Sequence, residues 1–256
     1  MMTEFVRDIS EIDYTSRVTV EDPLDPTFLE EAKRTTNARI CVGKAGTGLR
    51  TETMLRYLAD HAAANDAVWA HVDETSFEEM GFLRLSTLAP DKEAYLKRPD
   101  LGRDFSPEAI ETLKASCPHG VQVQVVVGDG LSACAVERNI PDLFPVLMEG
   151  IGLKSWTVGR PIFVRHARVA VMDKISVALD AEVTVLLIGE RPGLATNESL
   201  SCYMAWRSSP EKPESQRTVI SNIHPRGTPP VEAGAQIVHL IEILLREKKS
   251  GSDLRL

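Results

Sequence analysis

The sequence has little of what marks a secreted, membrane-bound or metal-binding protein. Only four residues are cysteine, and none belongs to a C-x-x-C pair or lies at a zinc-ligand spacing from histidine; they are Cys41, Cys117, Cys134 and Cys202. No apolar run reaches the ~18 residues that a membrane span requires, and the N-terminus has no signal-peptide pattern. We therefore expect a soluble, cytoplasmic protein with no metal site, no membrane contact and reduced, mostly buried thiols.

Aromatic residues are also few, at 5% of the chain, and the net charge is −8. Residues 1–117 hold 22 acidic and 14 basic side chains, whereas residues 118–256 hold 15 of each. An acidic chain repels the phosphate backbone, so we predict no nucleic-acid partner. The uneven charge predicts two structural units, although an acidic surface that only improves solubility explains the net charge equally well.

The sequence also lacks the patterns of a self-sufficient catalytic site. Gly43–Gly48 matches neither the Walker order nor G-x-G-x-x-G, and we interpret it as a connector ahead of a helix. Ser201 or Cys202 with His224 is a conceivable pair of nucleophile and base, but no G-x-S-x-G turn is present. We therefore predict no catalytic residue in this chain.

The Gly128–Ser132 loop follows a run of branched apolar residues and has two interpretations. Its backbone N–H groups suit an anionic ligand, or it forms the tight turn that a strand and a following helix require. The turn is the simpler interpretation. Asp129 is the residue that keeps the ligand-binding alternative open.

Apolar runs of strand length occur only in the second half of the chain. Residues 64–105 predict loops and short helical turns with little strand character. Five strands are predicted beyond residue 118, at 121–127, 161–164, 183–188, 202–206 and 217–220.

Helix signals flank and separate these strands. Thr51 is a predicted cap for a helix through about Ala63, which has on one face Met54, Leu55, Tyr57, Leu58 and Ala62. Ser106 and Ser132 are predicted N-caps. A last helix is predicted to begin with Thr228 as its cap and to end at Gly251, with a buried stripe of Val231, Ala235, Val238, Ile241, Leu244 and Leu245.

Strands that alternate with helices predict an α/β fold with a Rossmann-like, mostly parallel sheet covered by helices on both faces. We predict two domains. Residues 1–117 form an N-terminal arm with a small helical domain, and residues 118–256 form the Rossmann-like domain. The arm has a short helical pattern at Phe28–Lys33.

Sequence blocks along nearly the whole chain resemble one known family. The most informative is Gly189–Gly193 (GERPG) followed by Glu198–Tyr203, at the end of the apolar run Val183–Ile188. The other blocks are Ala38–Gly46, Arg50–Thr51, Arg56–His61, Tyr95–Arg103, Gly128–Ser132, Phe163–Arg165, Ser221–His224 and Gly227–Ala233. In this order they resemble the small subunit of ethanolamine ammonia-lyase.

The resemblance implies a role that the residues alone do not reveal. Enzymes of this family convert ethanolamine to acetaldehyde and ammonia by a radical mechanism that depends on adenosylcobalamin. Their large subunit is a TIM barrel with the catalytic side chains, and the subunits form a hetero-oligomer with several copies of each. This chain is then expected to help bind cobalamin at the interface, either free in the cytoplasm or in a bacterial microcompartment.

The resemblance also implies which residues contact the cofactor. They are Val169, Glu190 and Val219, of which Val219 replaces a cysteine expected in relatives. No histidine lies in a D-x-H-x-x-G motif, which agrees with a cobalamin that keeps its own base as the lower axial ligand. A free-standing α/β nucleotide-binding enzyme that uses its strand-end loops is the alternative.

Overall fold

The computed structural model describes Tyr14, residues 17–36 and residues 38–254. Contacts divide the chain into two units. The first comprises the described part of Met1–Asp66 together with Gly193–Asn197, and the second comprises Ala67–Pro192 and the described part of Glu198–Leu256. The predicted boundary between residues 117 and 118 lies within the second unit. Most of the predicted N-terminal arm, residues 1–13, 15 and 16, lies outside the described residues.

The first unit is built mainly on one long helix. Its elements are α1 (Pro26–Arg34), β1 (Lys44–Ala45), β2 (Gly48–Leu49) and α2 (Thr51–Trp69), which continues into the second unit. The predicted helical pattern at Phe28–Lys33 is confirmed by α1, and Gly43–Gly48 is a connector as predicted. This connector turns at Gly46, whose φ of +61° lies in the left-handed region that favours glycine.

The predicted helix from Thr51 exists and runs on to Trp69, and its apolar face is largely exposed. Met54, Leu55 and Leu58 are 42%, 46% and 54% exposed, and Tyr57 is 39% exposed. Ala67 is the only residue of α2 that is buried in the part of the chain that the structure describes. Helical periodicity indicates that a face is apolar, but it does not say whether this chain covers that face.

The second unit contains a six-stranded sheet with helices between its strands. In chain order its elements are α3 (Thr75–Glu79), β3 (Leu83–Ser86), α4 (Lys92–Lys97), α5 (Pro107–Ser116), β4 (Val123–Gly128), α6 (Ala133–Leu153), β5 (Ile162–Arg165), α7 (Val171–Leu179), β6 (Val183–Gly189), β7 (Leu200–Trp206), β8 (Thr218–Ile223) and α8 (Pro230–Glu247). None of the helices in the described residues is long and apolar enough to cross a membrane.

The spatial order of the strands is β3-β5-β4-β6-β7-β8. The first four are parallel, whereas β7 is antiparallel to both β6 and β8. The sheet is therefore mixed, although β7 alone runs against the other strands. The α/β class and the five predicted strands are confirmed.

Helices cover both faces of the sheet, as predicted. Strands β4 and β6 have every residue buried, with alternate side chains on opposite faces. Val123, Val125 and Val127 pack with α6 and α8, whereas Val126 packs with α5 and α7. Two apolar layers on one continuous sheet stabilise the second unit.

Strand β3 was missed by the sequence prediction, which assigned this region to loops. Leu83–Ser86 pairs in parallel with Ile162–Arg165 at the edge of the sheet. Only Leu83 and Leu85 of this strand are buried, because its other two side chains face outward. A strand of four residues with only two buried side chains shows too short an alternation of apolar and polar residues to be distinguished from a loop.

The predicted ends and the buried stripe of the last helix need correction. Pro229, not Thr228, is the N-cap. The helix ends at Glu247 rather than near Gly251, and its C-cap Lys248 is in the left-handed conformation. Ile241 and Leu244 are buried as predicted, but Val231 and Ala235 are exposed. The buried residues near the start of the helix are Pro230, Ala233, Gly234 and Ile237. The predicted N-caps Ser106 and Ser132 each accept a hydrogen bond from the backbone three residues later.

Candidate functional site

Asp129 lies just beyond the carboxyl end of β4, and its side chain hydrogen-bonds the backbone that follows the neighbouring strand β5. It is 4% exposed, and its two carboxylate oxygens accept the backbone N–H groups of His166 and Ala167, each at 2.9 Å. These residues follow β5. Both oxygens of Asp129 are therefore already occupied, which favours the tight-turn interpretation of Gly128–Ser132 over the ligand-binding one.

The same loop is in close backbone contact with the end of β6. Gly130 has φ of +59°, and a Cβ atom there would lie 2.1 Å from the carbonyl oxygen of Gly189. The N–H of Leu131 donates to that same carbonyl at 3.0 Å. A Cβ atom on Gly189 would lie 2.2 Å from the carbonyl oxygen of Ser132. The glycines of this loop thus serve close packing between strand ends.

A buried polar cluster around Asp129 was not predicted from the sequence. The Arg168 guanidinium stacks over the ring of Tyr95 at 4.3 Å, and the Lys92 amine lies 5.2 Å from the same ring. Burial lowers the pKa of Lys92 and raises the pKa of Asp129, because desolvation disfavours both charged forms. The residues of this cluster come from separate segments of the chain. The only local indication of it in the sequence is that Lys92 and Tyr95 lie one helical turn apart on α4. We interpret the cluster as structural.

The possible nucleophiles are not activated. Ser201 and Cys202 are both fully buried, and burial raises the pKa of Cys202 far above the usual range of a thiol. The imidazole of His224 is already used in its own loop: its Nδ1 accepts the N–H of Arg226 at 3.3 Å, and its Nε2 donates to Oδ1 of Asn222 at 2.8 Å. The predicted absence of a hydrolytic pair at these positions is consistent with this geometry.

Two of the three predicted contact residues are linked by one tyrosine of the sheet. Glu190 follows β6, and its carboxylate Oε1 accepts the hydroxyl of Tyr203 on β7 at 3.3 Å. Tyr203 is directly opposite Val219 of β8 in the antiparallel register. Opposite residues in such a pair project to the same face. We call Glu190, Tyr203 and Val219 the edge cluster, in which the phenol of Tyr203 links the carboxylate after β6 to the exposed apolar side chain on β8.

The third predicted residue lies on the same side of the sheet. Val169, just before α7, is partly buried and packs against the apolar layer under α5 and α7. Tyr203 packs against that layer too. Val219 is 44% exposed. Tyr203 itself was not predicted, and its signal in the sequence was only its place in the Glu198–Tyr203 block.

The edge cluster has the chemistry to hold a large amphipathic molecule. A carboxylate accepts hydrogen bonds from amide groups, and an exposed valine packs against an apolar ring edge. The backbone N–H of Glu190 donates to the carbonyl of Ser199 at 2.9 Å, which fixes the residue at the start of its loop. The cluster holds no serine, cysteine, lysine or histidine side chain, and its carboxylate already accepts the Tyr203 hydroxyl, so we interpret it as a binding site rather than a catalytic one.

Comparison with known proteins identifies the class to which this chain belongs. The family model described as ethanolamine ammonia-lyase light chain (EutC) matches residues 26–255. A protein of Clostridium acetobutylicum named ethanolamine ammonia-lyase small subunit is 55% identical over 228 residues, covering 89% of this chain and 94% of that protein. Proteins of the same name from Listeria monocytogenes serovar 1/2a and Clostridium perfringens are each 46% identical, over 98% of this chain and 85% of theirs.

These matches define a subunit of a carbon–nitrogen lyase. More specifically, the chain belongs to the family of ethanolamine ammonia-lyase light chains. The resemblance inferred from the sequence blocks is therefore confirmed.

Proposed function

We propose that this chain is the small subunit of an adenosylcobalamin-dependent ethanolamine ammonia-lyase and that it holds one side of the cobalamin against a catalytic large subunit. The observation that carries the proposal is the edge cluster, which joins Glu190 and Val219, two predicted contact residues that are far apart in the sequence. The family to which the chain belongs supplies the reaction.

The residues of the edge cluster fit a corrin. Among the described residues, Tyr203 is the only side chain that hydrogen-bonds the Glu190 carboxylate, so Oε2 is left for a peripheral amide of the corrin. Val219 presents apolar surface, and Val169 offers a partly buried contact on the same side of the sheet. When bound, adenosylcobalamin supplies the radical chemistry, and the protein supplies position. Here the three side chains bind and orient the corrin and exclude water from its edge.

A partner subunit is supported by the exposed apolar side chains of α2. Four large apolar residues on one helix, Met54, Leu55, Tyr57 and Leu58, are each 39% to 54% exposed. Exposed apolar patches of this kind are typical of protein interfaces.

The proposal includes the Rossmann-like description of the sheet, which is supported by the parallel order of β3, β5, β4 and β6.

We expect the isolated chain to bind adenosylcobalamin only weakly, with tight binding when the large subunit is added. The physical reason is that the edge cluster and Val169 together offer one carboxylate and two valines as contacts, which is half of a site for so large a ligand. Equilibrium dialysis of each subunit alone and of the mixture measures this difference. Tight binding of the cofactor by this chain alone would contradict the shared site and favour the free-standing alternative.

Replacing Glu190 with glutamine is expected to weaken cobalamin binding by about 1–2 kcal/mol, while the rate at saturating cofactor is retained. The amide keeps the shape of the side chain but is a weaker acceptor than the carboxylate. Glu211→Gln, at an exposed position outside the edge cluster, is the matched control. A large fall in the saturated rate with unchanged affinity would instead place Glu190 in the chemical step.

A further inference from the structure

Tyr203 is the residue of the edge cluster to which neither the family match nor the sequence blocks give a role. Its ring packs against the apolar layer under α5 and α7, and the residue is partly buried. Its hydroxyl lies 3.3 Å from Oε1 of Glu190, with the phenol as donor and the carboxylate as acceptor. The ring is therefore held by packing, while its polar end reaches the carboxylate.

The phenol of Tyr203 is protonated at neutral pH and remains a donor. Burial raises the pKa of Tyr203, and the negative charge of Glu190 with its hydrogen bond raises the pKa further. The direction of the hydrogen bond is thus fixed. A carboxylate that accepts from a rigid donor keeps one orientation, and its second oxygen then points in a fixed direction.

The position of Tyr203 also connects the two ends of the edge cluster. In the sheet its Cα is opposite that of Val219, and its side chain reaches Glu190 across the neighbouring strand. Because the backbone N–H of Glu190 is bound to the carbonyl of Ser199, the Glu190 side chain is the part of this residue that still needs to be oriented. A residue placed in this way affects ligand binding through Glu190 rather than by direct contact.

We infer that Tyr203 is a positioning residue for the cobalamin contact: it orients the Glu190 carboxylate so that the free oxygen meets a corrin amide. This inference rests on the proposed function. It adds Tyr203 to the site and explains how this residue would increase affinity: a preoriented carboxylate loses less conformational entropy when the ligand binds.

The test is a double-mutant cycle on the complex of this chain with its large subunit, with cyanocobalamin as the probe. This cobalamin keeps the corrin amides and does not turn over, so the readout is affinity alone. We expect Tyr203→Phe to raise the dissociation constant about three- to tenfold. In the Glu190→Gln background the same change is expected to have less than about a twofold effect, because the oriented carboxylate is already lost.

Tyr14→Phe is the matched control, because Tyr14 also donates to a glutamate, Glu52, at 3.1 Å, in the first unit. We expect it to leave the affinity unchanged within about twofold. The thermal unfolding midpoint of each variant shows whether a loss of affinity merely follows a loss of stability.

The outcomes separate the two proposals. If Glu190→Gln weakens binding but Tyr203→Phe does not, the contact of Glu190 stands and the role of Tyr203 is wrong. If Tyr203→Phe weakens binding equally in both backgrounds, Tyr203 acts independently of Glu190, and the positioning role is also wrong. If Glu190→Gln leaves the affinity unchanged, the proposed contact itself fails, together with this inference.

Discussion

Val219→Asp is expected to weaken cobalamin binding by the two-subunit enzyme at least about tenfold, while this chain stays folded. Val219 is 44% exposed in the isolated chain, so an aspartate there remains hydrated and costs little stability. In the proposed holoenzyme the same side chain lies against the corrin edge. The new carboxylate would then be buried without a partner, which is strongly unfavourable.

Two further variants make this result specific. Val219→Cys is expected to change the affinity by less than about 1 kcal/mol, because the two side chains are similar in size and mostly apolar. Val177→Asp introduces the same charge at a valine on α7 that is 61% exposed, and we expect wild-type affinity there. Cobalamin titration of the reconstituted enzyme measures all three. Wild-type behaviour of Val219→Asp would mean that the residue faces solvent in the holoenzyme.

Gly130→Ala is expected to lower the free energy of unfolding of this chain by about 3 kcal/mol or more. The new Cβ atom would lie 2.1 Å from the carbonyl oxygen of Gly189, so the loop after β4 must move away from the end of β6. That movement also breaks the hydrogen bond from Leu131 to the same carbonyl. Overpacking against backbone is costly because backbone atoms have no alternative rotamer.

Gly120→Ala is the control for the backbone conformation. Gly120 has φ of +68°, close to that of Gly130, but a Cβ atom there has no neighbour within 4 Å. We therefore expect a loss of only about 1 kcal/mol, due to the left-handed conformation alone. Urea unfolding of both variants gives the difference. Equal losses at the two positions would show that strand-end packing contributes nothing beyond the left-handed conformation.

The sequence by itself determined the α/β class and the location of the central strands. The runs that became β4 and β6 are apolar and rich in β-branched residues, and the run that became β7 contains Tyr203 and Trp206, so their local signal was sufficient. The N-caps Ser106 and Ser132 were predictable for the same reason, because a cap depends on residues within one turn. The ordered blocks along the chain were specific enough to indicate the family, which the comparisons confirmed.

The tertiary structure alone decided what depends on distant neighbours. The strand β3 exists because it pairs with β5, and the apolar face of α2 stays exposed because nothing described in this chain covers it. The grouping of Glu190, Tyr203 and Val219 arises because β7 runs antiparallel between β6 and β8, which sets Tyr203 opposite Val219 and within reach of Glu190. A local pattern has a range of a few residues, whereas strand order and register are properties of the whole sheet.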